Sequence, residues 1–192
     1  GQSSGGSAKS NDLSCESSFE TGQEVLASAA QDFKARSFSP FWARHLQIAA
    51  LGAHHYFLCG PPGCGKTYFV ESLRLLRQAT WQGQCTDPEQ RTLQALFKRG
   101  DNEIPVASPH HTVGHAGLLG GGTPVRSGAI TQAHGGILFL DELLEFNAGV
   151  LDNLREPLEK GEVSIHRAGQ VWRFPTRVQL VAATNPCRCG FF

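Results

Sequence analysis

The chain lacks any charge imbalance: 17 Lys and Arg against 17 Asp and Glu leave a formal net charge of zero. That excludes the strongly basic make-up of a dedicated nucleic-acid domain, although a local patch or an assembled ring can still hold DNA. No apolar run approaches the length of a membrane span, and the N-terminal residues carry no apolar core like that of a secretory leader. The six cysteines, at 15, 59, 64, 85, 187 and 189, are too few and too scattered for a disulfide framework. These absences predict a cytoplasmic protein with no membrane partner. What is present is a globular composition, 40% hydrophobic, with 22 Gly and 10 Pro in 192 residues. So many turn formers imply more loops than a helical bundle needs.

Residues 1–22, which include GQSSGGSAKSNDLSCESS, are poor in apolar residues and read as a flexible N-terminal segment. The core is expected over 23–192. A short helix fits 23–35. After Ser39-Pro40, the residues Phe41, Leu46, Ile48, Ala49 and Leu51 predict a helix ending at Gly52. His54 and His55 read as turn residues before a strand at 56–59, whose Cys59 is expected in the core. A helix over 66–79 buries Val70, Leu73 and Leu76 and wets Arg74 and Gln78. Asp87 as cap, Pro88 in the first turn and Glu89 at the positive dipole end open another helix, to about Arg99.

An extended piece runs over 104–108. Residues 112–128, TVGHAGLLGGGTPVRSG, are too apolar for a plain solvent loop and too glycine-rich for a long helix. A segment that remodels on partner binding fits both. A small helix is expected at 129–134, and the apolar run 136–140 reads as the centre of a parallel sheet. A helix follows over 147–160, kinked or shortened by Pro157. Residues 162–174 alternate on both sides of Ala168-Gly169, as in a hairpin. A buried strand spans 178–183. Strands alternating with helices predict a three-layer α/β sandwich.

The chemistry concentrates in YFLCGPPGCGKTYF, residues 56–69. Gly60, Pro61, Pro62, Gly63, Cys64, Gly65, Lys66 and Thr67 match the G-x-x-x-x-G-K-[ST] phosphate loop between a strand and a helix. Glycines let the backbone close around phosphates, and successive N–H groups at the helix N-terminus attract the anion. Lys66 is expected to reach the β- and γ-phosphates of ATP, and Thr67 to bind Mg²⁺ through its hydroxyl. Tyr68 belongs to the same nucleotide-binding stretch. At the end of the strand 137–140, Asp141 reads as the Mg²⁺-side carboxylate and Glu142 as the general base that polarises the attacking water. Asn185, at the end of the last strand, is placed to orient that water or touch the γ-phosphate; an Asn-Pro turn with a structural amide is the alternative.

Other residues carry weaker signals. His110, His111 and His115 lack the spacing of a zinc motif and read as capping or packing beside the nucleotide cleft. Cys187 and Cys189 are half of a four-thiolate site and are expected to bind no zinc here. Arg126, Arg155, Arg167, Arg173 and Arg177 are ordinary surface charges or contacts to DNA or neighbours.

The chain resembles the AAA+ core of the magnesium-chelatase-like family, in its ComM-like (YifB-type) branch. The words that carry the resemblance are GPPGCGKT, ASPHHTVGHAGLLGGGTPVRSGAITQAHGGILFLDEL, LREPLEKGEVSIHRAGQVWRFP and VQLVAATNPCRCG, in order over about residues 40–190. The resemblance implies a P-loop NTPase whose helix-2 insertion is 112–126 and whose pre-sensor hairpin is 162–174. It implies Mg²⁺-dependent ATP hydrolysis, with Lys66, Glu142 and Asn185 catalytic, in a homo-oligomeric ring (a hexamer). The ring is expected to remodel DNA as a helicase or branch-migration motor. The alternative is a nucleotide-switched chelatase-like or chaperone-like subunit acting on protein. The family's lid domain is not in this chain, which runs to Phe192, just past the sensor-1 strand. The chain alone is therefore expected to be monomeric and weakly active, with 112–126 mobile.

Overall fold

Ile137, Leu138, Phe139 and Leu140 are all buried, a pattern that only a strand covered on both faces can show. They form β5 (Ile137–Leu140) of a four-stranded parallel sheet in a computed structural model that describes residues 39–81 and 104–186. The sheet order is β1 (Tyr56–Cys59), β8 (Gln179–Thr184), β5, β2 (Val106–Ala107). The expected segments 1–22, 23–35 and 87–99 lie outside the described residues, as do Cys187 and Cys189.

Register sorts the sheet into two faces. Tyr56 aligns with Val181 and Phe139, and Leu58 with Ala183. This face meets α1 (Pro40–Gly52) and α2 (Lys66–Trp81). Tyr56 stacks near Phe69 at 5.5 Å and shares a hydrogen bond with His45 at 3.1 Å. Gln179, fully enclosed, donates to the carbonyls of Ala49 and His54 and accepts from Arg77. Burial pushes the Arg77 guanidinium pKa down, and a further bond, to Gly136 O at 3.0 Å, ties α2 to the base of β5. His55 accepts the Leu180 N–H at 2.9 Å, a turn residue serving the sheet.

On the opposite face, Ala107, Leu138 and Leu140 pack with Leu118, Leu119, Ile130, Phe146, Leu154 and Val163. These come from α3 (His115–Leu119), α4 (Ala129–Gln132), the chain before α5 (Ala148–Asp152) and α6 (Arg155–Lys160), and β6 (Glu162–Arg167). Two helical layers on one parallel sheet make the α/β sandwich.

Three expectations need correction, and the helix α1, which ends at Gly52 as expected, buries only some of its apolar residues. Cys59 is exposed, not core. It shares a face of β1 with Phe57, itself 59% exposed. Among the described residues β1 is an edge strand, and the helices of that layer cover β5 and β2 instead. In α1 only Leu46, Ala49 and Ala50 are buried, while Phe41 and Leu51 are 62% and 77% exposed. At 100° per residue those apolar side chains fall on two different faces. Leu76 is half-buried where Val70 and Leu73 are buried. The helix expected over 147–160 is two helices. Asn147 caps α5 by accepting the Gly149 N–H at 2.9 Å. Pro157 has no N–H for the carbonyl of Asn153, and its ring crowds that carbonyl. The chain turns at Asn153 and restarts, leaving Pro157 in the first turn of α6, where no intrahelical donor is needed.

The glycine-rich stretch folds onto the core. Leu118 and Leu119 of α3 are buried, and a short hairpin follows, β3 (Gly120–Gly121) with β4 (Arg126–Ser127). Gly120 has φ 108°, and a Cβ there would meet Arg126 O at 2.8 Å and Ile165 Cδ1 at 2.9 Å. Here glycine serves close approach between two hairpins. The second is β6 with β7 (Gln170–Pro175), turning at Ala168 (φ 49°) and Gly169 (φ 74°). Two successive positive φ angles are those of a type I′ turn, whose twist matches the strands.

Candidate nucleotide site

Parallel strands end on the same edge of a sheet, and ligands of open α/β sheets bind there. The C-terminal ends of β1, β8, β5 and β2 bring together the loop 60–65, Asn185, Asp141-Glu142 and His110-His111.

The loop after β1 leads directly into α2, with Phe69 N–H bonded to Gly65 O at 2.9 Å. Gly63 and Gly65 have φ of 77° and 91°. A Cβ on Gly63 would touch nothing, so glycine is needed for backbone shape rather than space. Pro61, Pro62, Gly63, Cys64, Gly65, Thr67 and Tyr68 are exposed along the loop and first helical turn, and Gly60 is half-buried. Lys66 folds back across the loop. Its Nζ donates to Gly60 O at 2.7 Å, Pro61 O at 3.1 Å and Asn185 Oδ1 at 2.8 Å. An ammonium has three donors, so each has a neutral oxygen. The Asn185 bond spans neighbouring strands. It stands beside a backbone bond from Gly60 N to Thr184 O and a bond donated by the Thr184 hydroxyl to Asn185 O.

Asp141 and Glu142 follow β5 and are both exposed. The Glu142 N–H bonds Asp141 Oδ1 at 2.9 Å. Glu142 has φ 54° and ψ 48°, a left-handed conformation that is uncommon outside glycine, so the chain turns sharply at the base candidate. Its carboxylate Oε2 lies 3.3 Å from His111 Nδ1. The His111 ring lies 4.0 Å from that of His110 and 6.5 Å from Phe146, edge-on to the latter. His110 Nδ1 meets Thr112 Oγ1 at 3.0 Å. His115 opens α3. Among the described residues no group of three or more His, Cys, Asp or Glu is arranged to hold a metal ion. The Thr67 hydroxyl and the Asp141 carboxylate are exposed, hard oxygen donors, the chemistry that Mg²⁺ takes alongside phosphate oxygens and water.

Two open clefts, of about 440 and 470 Å³, lie away from this edge, one between α3, α6 and β6 and one beside Arg77 and Arg177. Neither includes a phosphate-loop residue. Shape alone therefore points elsewhere, and the chemistry of the strand ends decides the location. A phosphate loop opens onto solvent and binds through backbone groups, so it need not be a deep cavity. At the tip of the β6–β7 hairpin, Arg167 Nη2 donates to Thr123 Oγ1 at 2.6 Å, linking that hairpin to the β3–β4 hairpin.

Sequence reasoning missed two pairings, Lys66 with Asn185 and His111 with Glu142. The signal was indirect. Each pair bridges adjacent strand ends, which only the sheet order reveals.

A family model described as magnesium chelatase, subunit ChlI, matches residues 39–192. The chain is 42% identical over 157 residues to the competence protein ComM of Haemophilus influenzae, covering 78% of this chain and 30% of that protein. It is 37% identical over 154 residues to the uncharacterized protein YifB of Escherichia coli, with the same two coverages. The chain thus spans about 30% of the length of these relatives. Among solved structures, NtrX from Brucella abortus, in complex with ADP, matches with a TM-score of 0.52 at 18% identity, over 90% of this chain and 35% of that one. At that identity the likeness speaks for the fold alone. No helix among the described residues is long and apolar enough to cross a membrane. With its parallel sheet, its strand–loop–helix turn and a family match over most of its length, the chain belongs to the magnesium chelatase ChlI family, in the ComM-like branch, and has an AAA+ type α/β P-loop fold.

Proposed function

We propose that the chain is the ATP-binding, Mg²⁺-dependent ATP-hydrolysing core of a ring-forming motor that remodels DNA. The observation that carries the nucleotide reading is Lys66, held over the loop by Gly60, Pro61 and Asn185. A phosphate oxygen is a stronger acceptor for an ammonium than a neutral carbonyl or amide. ATP would therefore take Lys66 from these partners, with the loop N–H groups and the start of α2 completing the cradle. Thr67 and Asp141 would hold Mg²⁺, which neutralises charge developing on the phosphates. Glu142 would accept the proton of the attacking water, and Asn185 would contact the γ-phosphate or that water. Lys66→Ala should abolish ATP·Mg²⁺ binding measured by titration calorimetry. Equal affinity in mutant and wild type would remove the loop from the site.

The DNA reading rests on the ComM likeness and on the β6–β7 hairpin, where His166, Arg167 and Arg173 are exposed with Trp172. One hairpin offers few charges, and a ring multiplies them through effective concentration. The family description favours a second reading, a chelatase-like subunit switched by nucleotide and acting on protein. DNA-stimulated ATP hydrolysis by the full-length protein separates the two. Stimulation supports the first reading, and its absence at low salt supports the second.

A further inference from the structure

We propose that the cleft beside Arg177, at the end of the sheet opposite the phosphate loop, is a second anion site that takes a phosphate group. It has a volume of about 470 Å³ and lies where β1, β8 and β5 begin. Arg77, Lys160 and Arg177 line it, against one carboxylate, that of Glu159. Glu159 is paired with Arg155, 3.1 Å away. In a chain of zero formal net charge, this is a local excess of positive charge around a concave surface.

The cations come from three elements. Arg77, on α2, is bonded to the Gly136 carbonyl and the Gln179 side chain, so it supplies charge more than donors. Lys160 ends α6 and is paired with Glu156, which does not line this cleft. Arg177 differs from both. It is exposed, and among the described residues it has no carboxylate partner. Its backbone is fixed: its N–H donates to His134 Nδ1 at 3.1 Å, and its carbonyl accepts the Gly135 N–H at 2.7 Å. Its stem lies beside Gly161, where a Cβ would stand 3.1 Å from Arg177 Cγ. The adjoining Thr176 bonds Gly161 O through its N–H and Pro157 O through its hydroxyl. The guanidinium is thus carried on a braced turn. His55 also lines the cleft. Its Nδ1 accepts the Leu180 N–H, which leaves the ring proton on Nε2 as a donor.

The arrangement selects the anion. A carboxylate has two oxygens in one plane, and one guanidinium fork satisfies it. Charges and donors from a turn, a helix end and a second helix suit a phosphate, whose oxygens point in several directions. A phosphate arrives either free or esterified in a DNA strand, and the chemistry that holds it is the same. The cleft is open to solvent, so removing one charged partner should weaken binding about ten-fold.

The test uses the full-length protein and the variant Arg177→Gln, which keeps the stem beside Gly161 and removes the charge. Inorganic phosphate is titrated by calorimetry at constant ionic strength, with and without saturating ADP. A labelled single-stranded oligonucleotide is titrated by fluorescence anisotropy at several salt concentrations. Thermal melting and ADP affinity are measured alongside and should not change. Phosphate binding that persists with ADP and falls about ten-fold in Arg177→Gln puts free phosphate in the cleft. Oligonucleotide affinity that falls about ten-fold, with a salt slope lower by about one, puts a strand phosphate there. Arg177→Lys should lie between the two proteins, because it keeps the charge and loses the fork. If wild type binds neither probe, or if Arg177→Gln binds both as wild type does, the proposal is wrong. It is equally wrong if ADP abolishes all phosphate binding while the oligonucleotide is held equally by both proteins, since the phosphate loop then accounts for the anion. If binding falls only together with the melting temperature, and Arg177→Lys restores neither, Arg177 serves the fold and the site does not exist.

Discussion

Replacing Asn185 by Asp tests how Lys66 is held. The amide oxygen lies 2.8 Å from Nζ, so a carboxylate there would form an ion pair with the lysine that ATP must recruit. At that distance the Coulomb energy is about 1.5 kcal/mol in a water-like dielectric and about 6 kcal/mol at an effective dielectric of 20. The loop is open to solvent, so the lower part of that range applies, about 1.5 to 3 kcal/mol. ATP would have to break this pair and face an added negative charge. Its affinity should therefore fall about 10- to 100-fold. Asn185→Ala is the control. It removes one neutral acceptor and frees a donor of Lys66, so ATP affinity should stay within about three-fold of wild type. The Gly60 N–H bond to Thr184 O and the Thr184 hydroxyl bond to Asn185 O do not involve the Asn185 side chain, so the strand ends should survive both changes. Titration calorimetry at two salt concentrations measures the effect, and the Asp penalty should shrink at high salt. The reasoning fails if the Asp variant binds like wild type, or if Ala and Asp weaken binding equally.

Gly136→Ala should cost about 3 kcal/mol of stability, because a Cβ at this buried position would overlap the carbonyl oxygen of Pro105 that pairs with Ile137; an unchanged urea midpoint would contradict the packing. Ala168→Asn should stabilise the β6–β7 turn by about 0.5 to 1 kcal/mol, since Asn tolerates the φ of 49° better than Ala; a lower melting temperature would speak against the type I′ turn. Arg167→Ala in the full-length assembly should weaken single-stranded DNA binding and its salt dependence while leaving ATP affinity alone; unchanged DNA binding at several salt concentrations would place the contact elsewhere.

The legible parts of the fold were those whose signal is local. Strand β5 is an unbroken apolar run, and only a central strand uses one. The Ala168-Gly169 hairpin combines alternation with a turn that requires positive φ. The phosphate loop is contiguous, so its glycines, Lys66 and Thr67 could be read without knowing the sheet. Harder features depended on neighbours. Cys59 sits in an apolar strand, yet an apolar strand buries both faces only when something covers both. In α1 the helix and its end at Gly52 were legible, but not that Phe41, Ile48 and Leu51 lie on a different face from Leu46 and Ala49. Pro157 was recognised as a disturbance, but whether it kinks a helix or begins a new one depends on the turn available at Asn153. The stretch 112–128 read as adaptable because glycine weakens helices. In the structure some of those glycines are where one backbone approaches another.

The candidate site divides along the same line. Individual residues were readable from motif and strand end, whereas their pairings were not, because pairing follows sheet order. With β8 between β1 and β5, the end of β8 is the only one within a strand spacing, about 4.8 Å, of both the loop and the acidic pair. Asn185 therefore meets Lys66 across 119 residues of sequence. With β2 on the far side of β5, the residues after β2 face Glu142, and His111 reaches it. The edge thus carries two neighbouring contacts in strand order, an ammonium hydrogen-bonded to an amide and a carboxylate lying beside an imidazole. The proposed chemistry needs the first of these to be a contact that a phosphate can displace. A neutral amide suits the first role because it orients the lysine without an ion pair that ATP would have to break.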